Sequence, residues 1–405
     1  MRARFVRAAA PALGLPVAMA VTHGTVDAYA AFLHPLLPRI MAKLGLSITL
    51  AATLVMSLGL AASLLQPGLG YLADRYGRWP LIIAGPVLTG AFLSLIGVAP
   101  SFPILVLFLA LGGLGAAAFH PPGASLAARV AEGRGSGLRL SVFSFGGATG
   151  YALGPLIAVS VVAAVGLGGL WIAMLPGLLL GLALLRVLPR DRGTGAGERP
   201  PTPLRVLGAL RGPLGLVFGI SVVGAFVQRT FLTFLPIIVA RAGGAEATGA
   251  AVLSVYLGAQ AFGTLTSGAL TDRMDRRQIL VAATALGVPI HVLAVTAIPA
   301  SPLAIAAAAA AGFLNMAILP PVVVMAQEMV PEGTAVTSGV VMGLAWAAGS
   351  LGILAAGALG DHIGPVAAAA WSMPVMLLGT GLALHPALRP YRRGAWHGSP
   401  GLAGR

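Results

Sequence analysis

Apolar blocks of about 20 residues alternate with short polar segments along the whole chain. A helix needs roughly 20 apolar residues to cross a hydrocarbon core about 30 Å thick, so each block predicts one membrane-spanning helix. The pattern predicts an all-α membrane protein with twelve transmembrane helices, and an even number places both termini on the same side. The block centres lie near Ala28, Leu60, Val87, Leu111, Leu153, Leu178, Val223, Leu257, Leu286, Ala309, Gly343 and Met376.

The composition supports a membrane protein and excludes several other classes. Hydrophobic residues make up 58% of the 405 positions and charged residues 9%, and the mean hydropathy is +0.93. A soluble fold would expose this apolar surface. The net charge of +14 is spread between the apolar blocks and not gathered on one solvated face, so no nucleic-acid partner is expected. The chain has no cysteine, which excludes disulfides and thiolate metal sites.

The positions of the cations predict the orientation. Of 25 cations, 21 fall in the N-terminal segment, the even-numbered loops, the central loop and the tail, and only Arg39, Lys43 and Arg241 fall in odd-numbered loops. Cations concentrate on the cytoplasmic side of membrane proteins, so both termini are predicted to be cytoplasmic. A second reading is a cleaved signal at residues 1–20, although the apolar block continues beyond Ala20.

The longest polar stretch divides the blocks six and six. Residues 190–210 are rich in Gly, Pro and Arg and predict a cytoplasmic linker between an N-terminal half at 1–189 and a C-terminal half at 211–388, with a cytoplasmic tail at 389–405. A shift of 198 positions lays Gly70, Leu72, Asp74 and Arg75 on Gly268, Leu270, Asp272 and Arg273. This internal repeat predicts two pseudo-symmetric six-helix halves, an architecture that places the substrate between the halves near the membrane midplane.

Residues 70–78 form a short motif with a clear physical design. Gly70 and Gly77 permit close helix approach and a tight turn, Asp74 is suited to a helix N-terminus or an arginine, and Arg75 and Arg78 supply cations. This motif resembles the loop between the second and third helices of the major facilitator superfamily, and Asp272 and Arg273 belong to its degenerate copy. The resemblance implies that these loops act as a conformational gate, although the arginines of the motif and of its copy, Arg276 and Arg277, could simply set topology.

Three further segments narrow the resemblance, namely residues 119–123, 141–155 and 326–331. Together they are similar to the fosmidomycin-resistance type of efflux proteins, which implies export of a small molecule. The sequence departs from that pattern at Ala148, where the family usually has asparagine. Gly150, Gly154 and Pro155 also resemble the helix-five motif of proton-coupled drug antiporters, in which small residues pack tightly and the proline bends the helix.

Few ionisable residues lie inside the predicted spans, and each is a functional candidate because burying it in hydrocarbon is costly. At 100° per residue, His23, Asp27 and His34 fall within about 40° of one another on the first helix. Our hypothesis is that Asp27 binds and releases the coupling proton and that His23 tunes it. The alternative is a hydrogen bond between helices. His120, beside a proline pair, either lines the pathway or caps freed carbonyls.

Arg229 lies in the middle of the seventh block, and it either binds an anionic substrate group or serves as a counter-ion, for instance to Asp27. Glu328 ends the tenth block near the cytoplasm and is a candidate for the cytoplasmic gate. His291 and Asn315 are expected to make bonds between helices.

No phosphate loop, metal-ligand cluster or catalytic triad is recognisable, so an enzyme is not expected, nor a metal or a cofactor. We therefore expect a secondary transporter in the bacterial cytoplasmic (inner) membrane, functional as a monomer, that uses protons to export a small drug-like molecule or metabolite. Two alternatives stay open. One is a proton-coupled importer of a sugar or organic acid, and the other is a non-transporting sensor built on a transporter fold.

Overall fold

The structure of the protein is a computed structural model that describes residues 14–130, 136–190, 208–331 and 334–391. Within these ranges the side chains of Asp74 and of residues 128–130, 136–140 and 334–336 are outside the description. The predicted linker, apart from its ends, and most of the predicted tail also fall outside it. All regular secondary structure in the described ranges is helical.

The chain divides into two compact units, one formed by Met1–Leu44 and Ser57–Gly197 and the other by Gly45–Met56 and Glu198–Arg405. The first unit holds the helices of the N-terminal half, and α3 begins in the second unit and continues into the first. The helices of this half are α1 (Gly14–Ala30), α2 (Leu33–Leu44), α3 (Ile48–Leu64), α4 (Gln66–Tyr76), α5 (Trp79–Ser94), α6 (Phe102–Val130), α7 (Ser136–Val165) and α8 (Met174–Val187).

The second unit contains the helices of the C-terminal half. They are α9 (Pro213–Arg241), α10 (Glu246–Thr271), α11 (Arg276–Thr296), α12 (Pro302–Ala317), α13 (Leu319–Met329), α14 (Thr334–Gly339), α15 (Ala345–Ile363), α16 (Pro365–Ser372) and α17 (Met376–Leu384). A π-helical turn, Val340–Leu344, joins α14 to α15.

Eleven helical segments of the described residues are long and apolar enough to cross a membrane, and they correspond to blocks two to twelve. The first block is split into α1 and α2, with Ala31 and Phe32 between them. Pro35 explains the interruption, because it has no N–H to donate to the carbonyl of Ala31. The twelve-helix membrane fold predicted from hydropathy is confirmed.

The proline pair of the N-terminal half and its counterpart in the C-terminal half lie at different positions in their helices. Pro121 and Pro122 lie inside the single helix α6. Their counterparts Pro320 and Pro321 lie in the first turn of α13, where the chain restarts a helix after α12. Proline is tolerated in a first helical turn because that N–H has no intrahelical partner, so the second half accommodates the pair by a break.

Candidate functional site

Three titratable side chains meet in the first unit. Asp27 lies between two imidazoles, with its Oδ2 3.2 Å from His23 Nε2 and its Oδ1 3.4 Å from His120 Nε2. The three side chains retain 19%, 15% and 29% of their exposure, respectively. Helix α1 supplies His23 and Asp27 one turn apart, and α6 supplies His120. The sequence left His120 either lining the pathway or capping freed carbonyls, and the structure places its ring against the carboxylate of Asp27.

Phe143 of α7 holds the His23 ring in place. The carbonyl oxygen of Phe143 lies 3.0 Å from His23 Nδ1, and the two rings stack with centroids 4.3 Å apart and planes inclined by 23°. Phe119 is fully buried on α6 and lies on another side of the imidazole, with the two ring centroids 5.7 Å apart. The site therefore backs onto the apolar core of the first unit, which includes Phe119 and Phe143.

Glycines of α7 allow this contact. A Cβ at Gly150 would overlap the carbonyl oxygen of Gly24 on α1, and one at Gly154 would overlap that of Ala28. A Cβ at Gly147 would collide with the imidazole of His23 itself. The small residues that resembled an antiporter motif thus bring α7 against the polar face of α1, with Pro155 inside the helix one residue further on.

The hydrogen bond to Phe143 restricts the protonation of the cluster. A carbonyl oxygen only accepts, so His23 Nδ1 must carry a hydrogen. In a neutral ring Nε2 then presents a lone pair, which would face the oxygen of an ionised Asp27 at 3.2 Å. Two acceptors at this distance repel each other. The arrangement is satisfied when a proton or another cation lies between them.

The same spacing also suits a metal ion, a site that was not expected from the sequence. One ligand atom each from His23, Asp27 and His120 lie within 4.8 Å of one another, the one such group among the described residues. Two imidazoles and one carboxylate are acceptable ligands for several divalent metals. A proton and a metal ion would therefore compete for the same three side chains.

His34 was expected on the same stripe as His23 and Asp27. Because α1 ends at Ala30 and α2 begins at Leu33, the helical periodicity that linked His34 to the other two does not run through. His34 is buried in α2 with 1% exposure.

Arg229 lies in the second unit, on α9, and is 8% exposed. Its guanidinium carbon lies 5.8 Å from the ring centroid of Trp346.

Gln228, the residue before Arg229, belongs to a separate chain of hydrogen-bonded amides. Gln228 donates to Gln260 at 3.2 Å, Gln260 donates to Asn315 at 3.3 Å, and Asn315 donates to the carbonyl of Gly224 at 3.0 Å. Asn315 therefore makes the expected bonds between helices. His291 lies 3.5 Å from the Tyr256 hydroxyl.

The motif at residues 70–78 has the close helix approach and the turn expected from its two glycines. A Cβ at Gly70 would lie 3.3 Å from Pro121, so α4 approaches α6 closely there, and Gly77 ends α4 with a φ of 110°. Arg75 is exposed and donates to the Tyr71 hydroxyl at 2.9 Å, whereas Arg78 is buried and donates to Ser125 at 3.0 Å. The side chain of Asp74 lies outside the description.

The degenerate copy is built differently. Asp275 stands where Gly77 would be, and its side chain caps α11 by accepting from the N–H of Arg277 at 2.9 Å. Arg276 is buried and forms an ion pair with Glu328, whereas Asp272 and Arg273 are exposed. Arg277 donates to the carbonyls of Ala383 and Leu384 at the end of α17. The two cations thus tie helices together as well as adding positive charge.

Comparison with known protein sequences identifies the family of this chain. Residues 19–336 match the sequence profile of the Major Facilitator Superfamily. The chain belongs to this superfamily. It is 28% identical over 367 residues to the fosmidomycin resistance protein of Escherichia coli (strain K12), covering 86% of this chain and 87% of that protein. The predicted resemblance is confirmed.

Two solved structures of transporters show the same fold. The nucleoside transporter NupG superimposes with a TM-score of 0.78 at 14% identity, covering 91% of this chain and 99% of that one. The D-xylose–proton symporter superimposes with a TM-score of 0.71 at 17% identity, covering 92% and 97%. The chain is therefore a multi-pass membrane protein of a superfamily of transporters.

Proposed function

We propose that the protein is a proton-coupled antiporter that exports a small drug-like molecule or metabolite by alternating access. In this proposal residues 1–189 and 211–388 are the two moving halves, and the gating motifs at 70–78 and 268–277 with Glu328 govern the cytoplasmic side. Asp27 carries the coupling proton, with His23 and His120 as the groups that share it.

The observation that carries the proposal is the pairing of Asp27 with a His23 ring of fixed tautomer. Because Nδ1 is committed to the Phe143 carbonyl, a proton between Nε2 and Asp27 relieves the repulsion of two acceptors. When that proton leaves, the site loses its most stable arrangement, and this is the property required of a group that couples proton release to movement. Partial exposure of all three side chains provides access.

Export is supported by the relative named for fosmidomycin resistance, which aligns over most of both chains. It is also supported by the Gly150, Gly154 and Pro155 motif. Import of a sugar or organic acid would use the same fold with the opposite direction of substrate flux, so the direction has to be measured.

The cation distribution supports a cytoplasmic location for both termini, in the inner membrane of a bacterium. The proposed proton site lies within one unit of a single chain, which is consistent with a functional monomer.

The test uses everted membrane vesicles that hold a pH gradient. Phosphonate, cationic and aromatic compounds are added one at a time, and the collapse of the gradient is recorded with and without the protein. We expect a compound-dependent collapse that Asp27→Asn abolishes at unchanged expression and that the matched linker variant Asp191→Asn retains. A chelator should leave the collapse unchanged if the cation is a proton.

Normal collapse by Asp27→Asn would refute the proton site. Loss of the collapse in chelator would assign the cluster to a metal ion. Substrate moving with the protons, not against them, would favour the importer, and no flux of any compound would favour a non-transporting role.

A further inference from the structure

Arg229 lies on α9, the most deeply buried of the eleven candidate membrane spans in the described part of the chain. In the 18-residue apolar stretch of α9, 89% of the residues are buried inside the structure. The corresponding share is 22–50% in the other ten candidate spans. At a rise of 1.5 Å per residue, Arg229 lies roughly 18 Å from the nearer end of α9. An arginine side chain is too short to reach the membrane surface from that depth, so its charge must be compensated inside the protein.

The described part of the second unit offers no such compensation. None of the described residues accepts a hydrogen bond from Arg229 Nε, which is completely buried. No carboxylate of the described part of this unit pairs with the guanidinium, and Glu328 is paired with Arg276. The aromatic face of Trp346 lies beside the cation and attracts it. A single cation–π contact offsets only part of the free energy that burying an ion costs.

Neighbouring polar groups are already engaged elsewhere. The amides of Gln228, Gln260 and Asn315 donate to one another and end on the Gly224 carbonyl. Ser221 of α9 donates to the Val341 carbonyl in the π-helical turn, and that turn directly precedes the helix α15 that carries Trp346. π-helical turns inside α-helices often occur at functional sites. Among the described residues, Arg229 is thus a cation without a counter-ion, beside a network of amides that is satisfied without it.

We propose that Arg229 and Trp346 form an anion subsite and that the transported molecule carries an oxyanion group, a carboxylate, phosphonate or phosphate. A planar guanidinium binds such groups through two parallel hydrogen bonds, and its free Nε belongs to that donor edge. An aromatic or apolar portion of the molecule would lie against Trp346. This inference deepens the proposed export function and names the class of its substrate.

The test measures binding at equilibrium, without a proton gradient. The purified protein in detergent is titrated with millimolar benzoate, phenylphosphonate and the neutral benzamide, and the thermal midpoint and tryptophan fluorescence are recorded. We expect both oxyanions to raise the midpoint and benzamide to have no effect. Arg229→Gln should weaken oxyanion binding about tenfold or more, whereas Arg241→Gln, at the exposed end of the same helix, should bind as the wild type does.

A second readout separates an anion site from a structural arginine. Without ligand, Arg229→Gln should melt at or above the wild-type midpoint, because it removes an unpaired buried charge. A lower midpoint with unchanged oxyanion binding would overturn the proposal, and so would equal binding of benzamide or no response to either oxyanion. Because Asp27→Asn should still bind oxyanions, failure of the proton site and failure of the anion site give different results.

Discussion

Arg276 donates a 2.6 Å hydrogen bond from Nη1 to Oε2 of Glu328, and the arginine side chain of this pair is 3% exposed while the glutamate side chain is 30% exposed. The pair joins the loop at residues 268–277 to the end of α13, so Glu328, the candidate for the cytoplasmic gate, contacts the degenerate copy of the motif. A buried cation that loses its partner is left uncompensated, so breaking this contact is costly.

Glu328→Gln should therefore lower stability by about 1.5–3 kcal/mol, because the amide cannot balance the charge of Arg276. The thermal midpoint in detergent measures the effect. The double variant Arg276→Gln and Glu328→Gln should recover part of the loss, since it removes the orphaned charge as well. If the two single effects simply add, the residues do not act as a pair.

Hydropathy was enough to predict the fold, because a bilayer sets the length of each apolar block and the positions of breaks matter little to the count. The break between α1 and α2 was missed, although Pro35 carried the signal: a proline removes one backbone donor, and the carbonyl of Ala31 loses its partner. The grouping of Gly45–Met56 with the second unit had no sequence signal, since it depends on packing between distant segments.

The candidate site could be predicted in part. His23 and Asp27 are four residues apart on one helix, so periodicity alone placed them together. His120 was recognised as a candidate but not as their partner, and Phe143 and Trp346 were not recognised as site residues at all. Their contacts join helices more than 100 residues apart in sequence, and only the packing of those helices reveals them.

His23→Gln should uncouple transport from protons without preventing substrate binding. Glutamine can keep a hydrogen bond to the Phe143 carbonyl, but it cannot hold the additional proton next to Asp27. We expect loss of substrate-induced collapse of the pH gradient, together with retained counterflow exchange of labelled substrate across the membrane. His120→Gln, which removes the more exposed ring, should reduce the collapse less. Loss of exchange as well would show that His23 binds substrate or holds the fold.

Gly150→Ala should destabilise the first unit by about 1–3 kcal/mol, since the new methyl group would overlap the Gly24 carbonyl and push α7 away from α1. The thermal midpoint of the purified protein reports the change. Gly168→Ala is the matched control in the same unit, because a Cβ there meets nothing within 4 Å. Equal midpoints for the two variants would contradict the close packing of α1 on α7.

Asp361 caps the start of α3 with both of its carboxylate oxygens. Oδ1 accepts from the N–H of Ile48 at 2.8 Å, and Oδ2 accepts from the N–H of Thr49 at 3.0 Å and from its hydroxyl at 2.6 Å. The first N–H groups of a helix have no partner within the helix, and loss of a capping side chain costs about 0.5–2 kcal/mol. Close contact of Gly357 with Ala52 and Thr49 keeps α3 against α15 at this point.

Asp361→Ala should therefore speed hydrogen exchange at the amides of Ile48 and Thr49, measured by mass spectrometry of the peptide that contains them. Asp361→Asn keeps one acceptor oxygen and should lie between the alanine variant and the wild type. Thr49→Val removes only the hydroxyl bond and should leave the Ile48 amide protected. If Asp361→Ala leaves both amides as slow as in the wild type, other groups protect the start of α3 and the cap is dispensable.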